Sequence, residues 1–554
     1  MTALLCAVLL GASPVVQADL VVVNAKVWTG DAKRPEAEAV AVWHGRILGV
    51  GSTTDMAAFT GERTQVLDAK GARLVPGFHD SHVHFLGGGL QLARVELKDC
   101  ASEAEVRKRL AEFDGNTPRD RWMLGGNWDH DRALGGVLPT KELLDAVVPN
   151  RPVFLRRYDA HMGLANSVAL KLAKITAESK DPAGGVIGRM PDGKTPSGIL
   201  KDEAMSLVDA ITPEPSEEEI REAVGRAMAE CAKNGITGVT DMDGSSTRTR
   251  LALFRILQRL DKAKQLTVRI DLRWPIAAQG ELSQLGVEAG YGSEFLRIGG
   301  LKGFMDGSLG SSTAKMVEAY RTDAKNTGVY VTQPADMLAL VKKADANRLA
   351  LCIHAIGDEA NAKLLDIYAE VAKANGERER RFRIEHAQHL RPEDYPRFKR
   401  HGVIASMQPY HVVDDARWAE GRIGAKRCES SYAFRSLLDS GATLAFGSDW
   451  PVATLDVLAG IDAAVNRRGL DGKTPDGWNP QQAIAASEAL AAYTSGSAFA
   501  GGVEAEQGVL KPGYRADFVL LDADILSPKF KPDIAKCKVT HTVVGGKLVF
   551  GQLR

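Results

Sequence analysis

Between about residues 73 and 500 the chain repeats one pattern, a short apolar run of strand length followed by an amphipathic stretch of helical length. The strand-like runs include GITGVTDMD, LTVRIDLRW, LRIGGLKGFMD, RLALCIHAIGD, RFRIEHAQ, GVIASMQP and ATLAFGSDW, and the helical ones SEEEIREAVGRAMAECAKN and ADMLALVKKADAN. A helix between two strands returns the chain to the same end of the sheet, so the strands pair in parallel. Repetition of this length predicts an α/β fold built on a (β/α)8 barrel.

The two ends read differently. LVVVNAKVW and AVAVWHGRILGVG near the start, and GVLKPGYRADFVLLDAD and VTHTVVGGKLVF near the end, are β-rich, with hairpin turns at Gly45-Arg46 and Gly545-Gly546. A lone hairpin is not stable in water. The two ends are therefore expected to form one small β-sandwich from residues 19–72 and 505–554 around a barrel at 73–504. The stretch 115–210 is too long for a loop and predicts a subdomain inserted over the barrel mouth.

Lys plus Arg and Asp plus Glu each number 70 in the 554 residues, giving zero formal net charge. With no basic cluster either, the composition argues against a nucleic-acid partner and for a small-molecule one. Residues 3–12, ALLCAVLLGA, form an apolar run too short to span a bilayer, followed by the small-x-small pattern Val16-Gln17-Ala18. This reads as a signal peptide over residues 1–18, placing the mature protein in the periplasm or outside the cell, although no basic residue precedes the apolar run. No other segment is long and apolar enough to span a membrane, and self-association into a homodimer is left open. Of six cysteines, Cys6 falls in this leader and the other five are scattered without a CxxC pair, which fits neither a disulfide framework nor a thiolate zinc site.

The histidines carry the chemistry. His82 and His84 in PGFHDSHVHF are two apart, so on a strand both imidazoles project from one face toward one metal. Alone such a pair means little. His354 ends LALCIHAIGD, His386 ends RFRIEHAQ and Asp449 ends TLAFGSDWP, each where a strand meets its following loop. In a barrel that is the C-terminal face, where active sites form, and the set predicts a divalent metal site. Lys302 also ends a strand. Spacing alone favours its pairing with Asp306 or a helix end, because an ammonium has only donors and cannot ligate a cation.

PGFHDSHVHF, LKGFMDGSLGSSTA, IHAIGD, RIEHAQ and GSDWP together resemble the amidohydrolase superfamily, in particular its family 3 branch, which includes N-substituted formamide deformylase-like enzymes. The resemblance covers nearly the whole mature chain. It implies His82, His84 and Asp449 around one metal, His354 and His386 around a second, and Lys302 bridging them as a carbamate. One departure is Ser312, where the family more often has an arginine.

The chemistry expected of such a site is hydrolysis of a C–N bond, amide or cyclic amide, by a hydroxide generated on one or two Zn²⁺ ions, with Asp449 as general acid and base. The same attack serves esters, lactones and carbamates, and an inactive barrel acting as a binding module is the reading from another class. His161 in RRYDAHMGLANS reads as a donor to the substrate carbonyl or as a loop histidine, and Trp128 in GGNWDHD as an apolar wall or as core. Gln408 and His411 in SMQPYH follow a strand and are candidates to line the pocket; Asp80 and Asp358 are candidates either to support the metal ligands or to cap helices. N-terminal sequencing of protein exported by its native host is expected to start near Asp19; soluble cytosolic protein that retains Met1 overturns this reading.

Overall fold

The computed structural model describes residues 16–552 apart from 158–161, 183–184, 244–246 and 311. The predicted signal segment falls largely outside the described residues. The chain divides into two compact units, one of Met1–Phe85, Met228–Gly244 and Leu257–Arg554, the other of Leu86–Ala227 and Ser245–Ile256.

The first unit holds a nearly closed barrel of eight parallel strands, in order β1 (Phe78–Val83), β2 (Ile236–Asp241), β3 (Arg269–Pro275), β4 (Leu296–Phe304), β5 (Leu351–Ala355), β6 (Arg383–His386), β7 (Ile404–Met407) and β8 (Thr443–Phe446). Each strand pairs with its sequence neighbour in parallel register, for example Lys302 with Cys352 and Ala355 with His386. Every residue of β1, β2, β6 and β7 is buried, as parallel strands covered on both faces require. Between β8 and β1 the closure is an isolated parallel bridge, Val83 to Trp450. It is reinforced by hydrogen bonds from the Asp449 amide to the His82 carbonyl and from the His84 amide to the Trp450 carbonyl, each 2.7 Å. Gly447 permits the approach, since a Cβ there would lie 2.5 Å from the His82 nitrogen.

The helices Pro334–Ala346, Asp358–Ala374, Tyr395–His401 and Val457–Asn466 fall between barrel strands or after the last. Their ends follow local chemistry. The Asp456 side chain accepts from the amides of Leu458 and Ala459 at the start of one, and Gly402, at φ 61°, ends another.

Both chain ends enter one further sheet of this unit, in which Arg73–Pro76 pairs antiparallel with Phe518–Leu521 and parallel with Lys26–Trp28. A four-stranded sheet from Leu20–Val23, Ala39–Trp43, Arg46–Gly51 and Gln65–Asp68 accompanies it. Val27, Val42, Leu74, Phe518, Leu520 and Val543 share one apolar core, so neither end can bury its hydrophobic face without the other.

The second unit carries a mixed six-stranded sheet from Val95–Glu96 to Gly185–Arg189 and Pro196–Asp202. It begins earlier than the 115–210 read from sequence, because the two-residue strand Val95–Glu96 pairs with Gly125 and Gly126. So short a strand leaves no periodic trace. Among the described residues no helix is long and apolar enough to cross a membrane. Cys100, Cys231, Cys352, Cys428 and Cys537 are buried and free.

Phe518→Ala is expected to destabilise the protein by about 3–5 kcal/mol, the usual cost of emptying a phenylalanine site in a packed core. Denaturant unfolding of wild type and variant measures it.

Candidate metal centre

β1 places four polar residues, His79-Asp80-Ser81-His82, inside a fully buried strand of the barrel. Burying such groups is unfavourable unless each finds a partner. Asp80 accepts from the amides of His82 at 3.1 Å and Ser448 at 2.9 Å, tying β1 to the turn after β8. His82 Nδ1 lies 2.7 Å from Glu385 Oε2, and both side chains are completely buried. Glu385 in turn accepts from Arg383 Nε at 2.8 Å.

Burial alone pushes the Glu385 carboxyl up, but Arg383 and His82 hold it well below the usual carboxylate range. An ionised carboxylate only accepts, so Nδ1 of His82 is the donor and Nε2 keeps its lone pair. That Nε2 lies 3.5 Å from Asp449 Oδ1 and 3.2 Å from Lys302 Nζ.

Asp449 is shared between two sets of imidazoles. Its Oδ1 is 3.1 Å from His84 Nε2, while its Oδ2 is 3.2 Å from His411 Nε2. Ligand atoms of His82, His84 and Asp449 lie within 4.8 Å of one another, and those of His386, His411 and Asp449 meet the same limit. Burial raises the Asp449 carboxyl, yet hydrogen bonds from His411 and His84 and the nearness of His82 and His386 hold it well below its ordinary value. Burial lowers the imidazoles, with Lys302 reinforcing the effect, to about 4 for His82 and about 3 for His354. His386 is lowered well below its ordinary value by burial and by His354. These histidines are neutral at physiological pH, the form that ligates metal.

The backbone is strained where the site is made. His386 has φ 74° and Asp449 φ 60°, left-handed values uncommon for residues with a Cβ. At His386 this breaks the in-out alternation of β6, so that consecutive residues both approach His82: Glu385 by its hydrogen bond, His386 with ring centroids 5.0 Å apart.

The other candidates fall as follows. Lys302 is buried, and burial lowers its amine below the ordinary lysine value. The ion pair with Asp306 that spacing favoured does not form; that carboxylate instead accepts from the amides of Lys315, Ile356 and Gly357 at 2.8–3.0 Å. His354 lies beside His386, centroids 4.5 Å apart, with its Nε2 3.0 Å from the Gly307 carbonyl oxygen, and belongs to neither triad. Gln408 is buried and its amide donates to the Ser406 carbonyl at 3.3 Å. Trp128 fills the core of the second unit, its indole N–H donating to the Leu155 carbonyl at 2.8 Å, as a core tryptophan does. His161 lies outside the described residues. Asp358 accepts from the amides of Val317 and Glu359, both 2.8 Å.

Sequence reasoning missed Glu385 and Arg383. The trace was there: in RFRIEH, Arg381, Arg383 and Glu385 alternate with apolar residues, which puts charge on one face of a barrel strand.

A parallel eight-stranded barrel that gathers imidazoles around one carboxylate at its strand ends is the arrangement of a metal-dependent hydrolase. The chain belongs to the amidohydrolase family, whose model matches residues 65–550. It is 40% identical over 540 residues to Protein LONG AFTER FAR-RED 3 of Arabidopsis thaliana, covering 96% of this chain and 92% of that one. It is 28% identical over 548 residues to the N-substituted formamide deformylase of Arthrobacter pascens, covering 96% and 98%. An uncharacterized metal-dependent hydrolase from Pyrococcus furiosus superposes with a TM-score of 0.75 at 28% identity, covering 92% of this chain and all of that one.

Glu385→Gln removes the charge that fixes His82 and is expected to weaken metal retention by about 10–100-fold. Competition against a chromogenic chelator reads this directly.

Proposed function

We propose that this chain hydrolyses a carbon–nitrogen bond, an amide or cyclic amide, of a small molecule at the centre built from His82, His84, Lys302, His354, His386 and Asp449. The observation that carries the reading is the division of the Asp449 carboxylate, with Oδ1 toward His84 and His82 and Oδ2 toward His411. A divalent ion held by these imidazole nitrogens and carboxylate oxygens, a donor set suited to zinc, supplies Lewis acidity toward a carbonyl and makes water acidic enough to ionise near neutral pH.

The protein's own groups do the rest. Asp449 is ionised, so it accepts the proton of the attacking water and returns it to the departing nitrogen. His411 holds Oδ2, which limits rotation of the carboxylate and keeps Oδ1 toward His84. Glu385 fixes the ring of His82, and Arg383 keeps Glu385 charged.

Lys302 enters as a neutral amine, the form that burial favours. Its nitrogen lone pair adds to CO₂ and one proton is released, which converts the amine into a carbamate carrying a carboxylate beside His82 Nε2. The preference for nitrogen over oxygen leaving groups rests on the similarity to a formamide deformylase along nearly the full length of both chains.

Chelation is expected to abolish hydrolysis of formamides, N-acyl amino acids or cyclic amides, and zinc to restore it; full activity after verified metal loss rejects the reading. The same screen run with esters and lactones tests the choice of bond. Lys302→Ala is expected to lower metal content per chain and to slow turnover by on the order of 10³-fold. Equal metal content in wild type and variant eliminates the carbamate.

A further inference from the structure

The N-terminal ends of the barrel strands carry a second concentration of charge. Among the described residues, six arginines, Arg273, Arg297, Arg348, Arg378, Arg380 and Arg381, line a pocket of about 290 Å³. Arg297 is the second residue of β4, Arg348 precedes β5, and Arg378, Arg380 and Arg381 precede β6. Along β4 the lining ends at Gly299, three residues or about 10 Å of strand before Lys302, and none of the candidate metal residues lines this pocket.

The carboxylates nearby are fewer where burial is greatest. Arg273 and Arg297 share Asp271, at 2.7 and 3.4 Å. Arg378 and Arg380 share Asp345, the latter at 3.0 Å. In both places two guanidinium groups meet one carboxylate, and each group of three keeps a net positive charge. Asp271 and Asp345 are only 4% and 2% exposed, so water screens these charges weakly.

The remaining acids reduce this excess without removing it: six arginines face five carboxylates, Asp271, Asp345, Glu288, Glu379 and Glu504, a net charge of +1. Glu504 and Glu379 engage Arg381, which also lies over the Phe499 ring. Glu288 stands 3.9 Å from Arg348, with both side chains more than half exposed. Cations crowded around a hollow repel one another, and the planar guanidinium fork matches a tetrahedral oxyanion in two-point contact.

We infer that this pocket binds a phosphate group, as the free ion or on a small phosphate ester. Calorimetric titration of the metal-loaded protein with inorganic phosphate, and separately with glycerol 3-phosphate, against chloride at matched ionic strength, tests it. At least one of the two is expected to bind saturably with a sub-millimolar Kd, and the tighter of the two identifies the form. The double variant Arg348→Gln/Arg378→Gln is expected to bind at least about tenfold more weakly, with unchanged metal content and circular dichroism. If the double variant misfolds, the single exposed change Arg348→Glu replaces it, with the same weakening expected. Equal phosphate affinity in the wild type and a folded variant places the ion elsewhere, at the metal centre for instance, and overturns the inference. So does the absence of saturable binding of either ligand up to about 10 mM.

Discussion

The barrel closes where the site is built. β8 and β1 meet through the Asp449 amide on the His82 carbonyl, the His84 amide on the Trp450 carbonyl, and Asp80 bridging to Ser448. These bonds join the residues, or immediate neighbours of the residues, whose side chains form the centre. Closure and site geometry are therefore one constraint: a shift at this seam displaces Asp449 from His82 and His84 together. It also accounts for Gly447, since any Cβ there would force the seam apart.

Beneath the seam lies a run of buried charge that ordinary folding would avoid. Arg383, Glu385 and His82 are almost wholly inaccessible and hydrogen-bond in sequence, with Arg383 also donating from Nη2 to the Ser81 carbonyl and the Ser406 hydroxyl. Breaking a buried pair by removing one partner typically costs about 3–5 kcal/mol, because the other charge stays behind in a low dielectric. A well-packed apolar replacement is often no less stable, so stability alone does not require this arrangement. What the charges do here is hold one imidazole in one tautomer with its lone pair toward Asp449 and Lys302.

Much of the architecture was legible in the chain because it is written in local periodicity. Apolar runs of strand length between amphipathic stretches imply parallel strands, and β-rich ends that are unstable alone imply a shared sheet. The start of the second unit was not legible. Val95–Glu96 is a strand only because Gly125 and Gly126 lie beside it. The core placement of Trp128 is similar: an indole in a glycine-rich segment looks the same from sequence whether it faces a ligand or Leu155.

For the site, sequence by itself determined which chemistry the chain carries: two histidines at strand spacing, then histidines, a lysine and an aspartate at the ends of later runs. Residue type and position relative to a strand end are properties of the chain alone. Tertiary structure decided which groups meet. It brought His411 onto the free oxygen of Asp449, set Glu385 behind His82, and left the Asp306 carboxylate to backbone amides instead of Lys302. Those outcomes turn on left-handed backbone at His386 and Asp449 and on the register of strands hundreds of residues apart. No local pattern encodes either, because both arise only when the barrel closes.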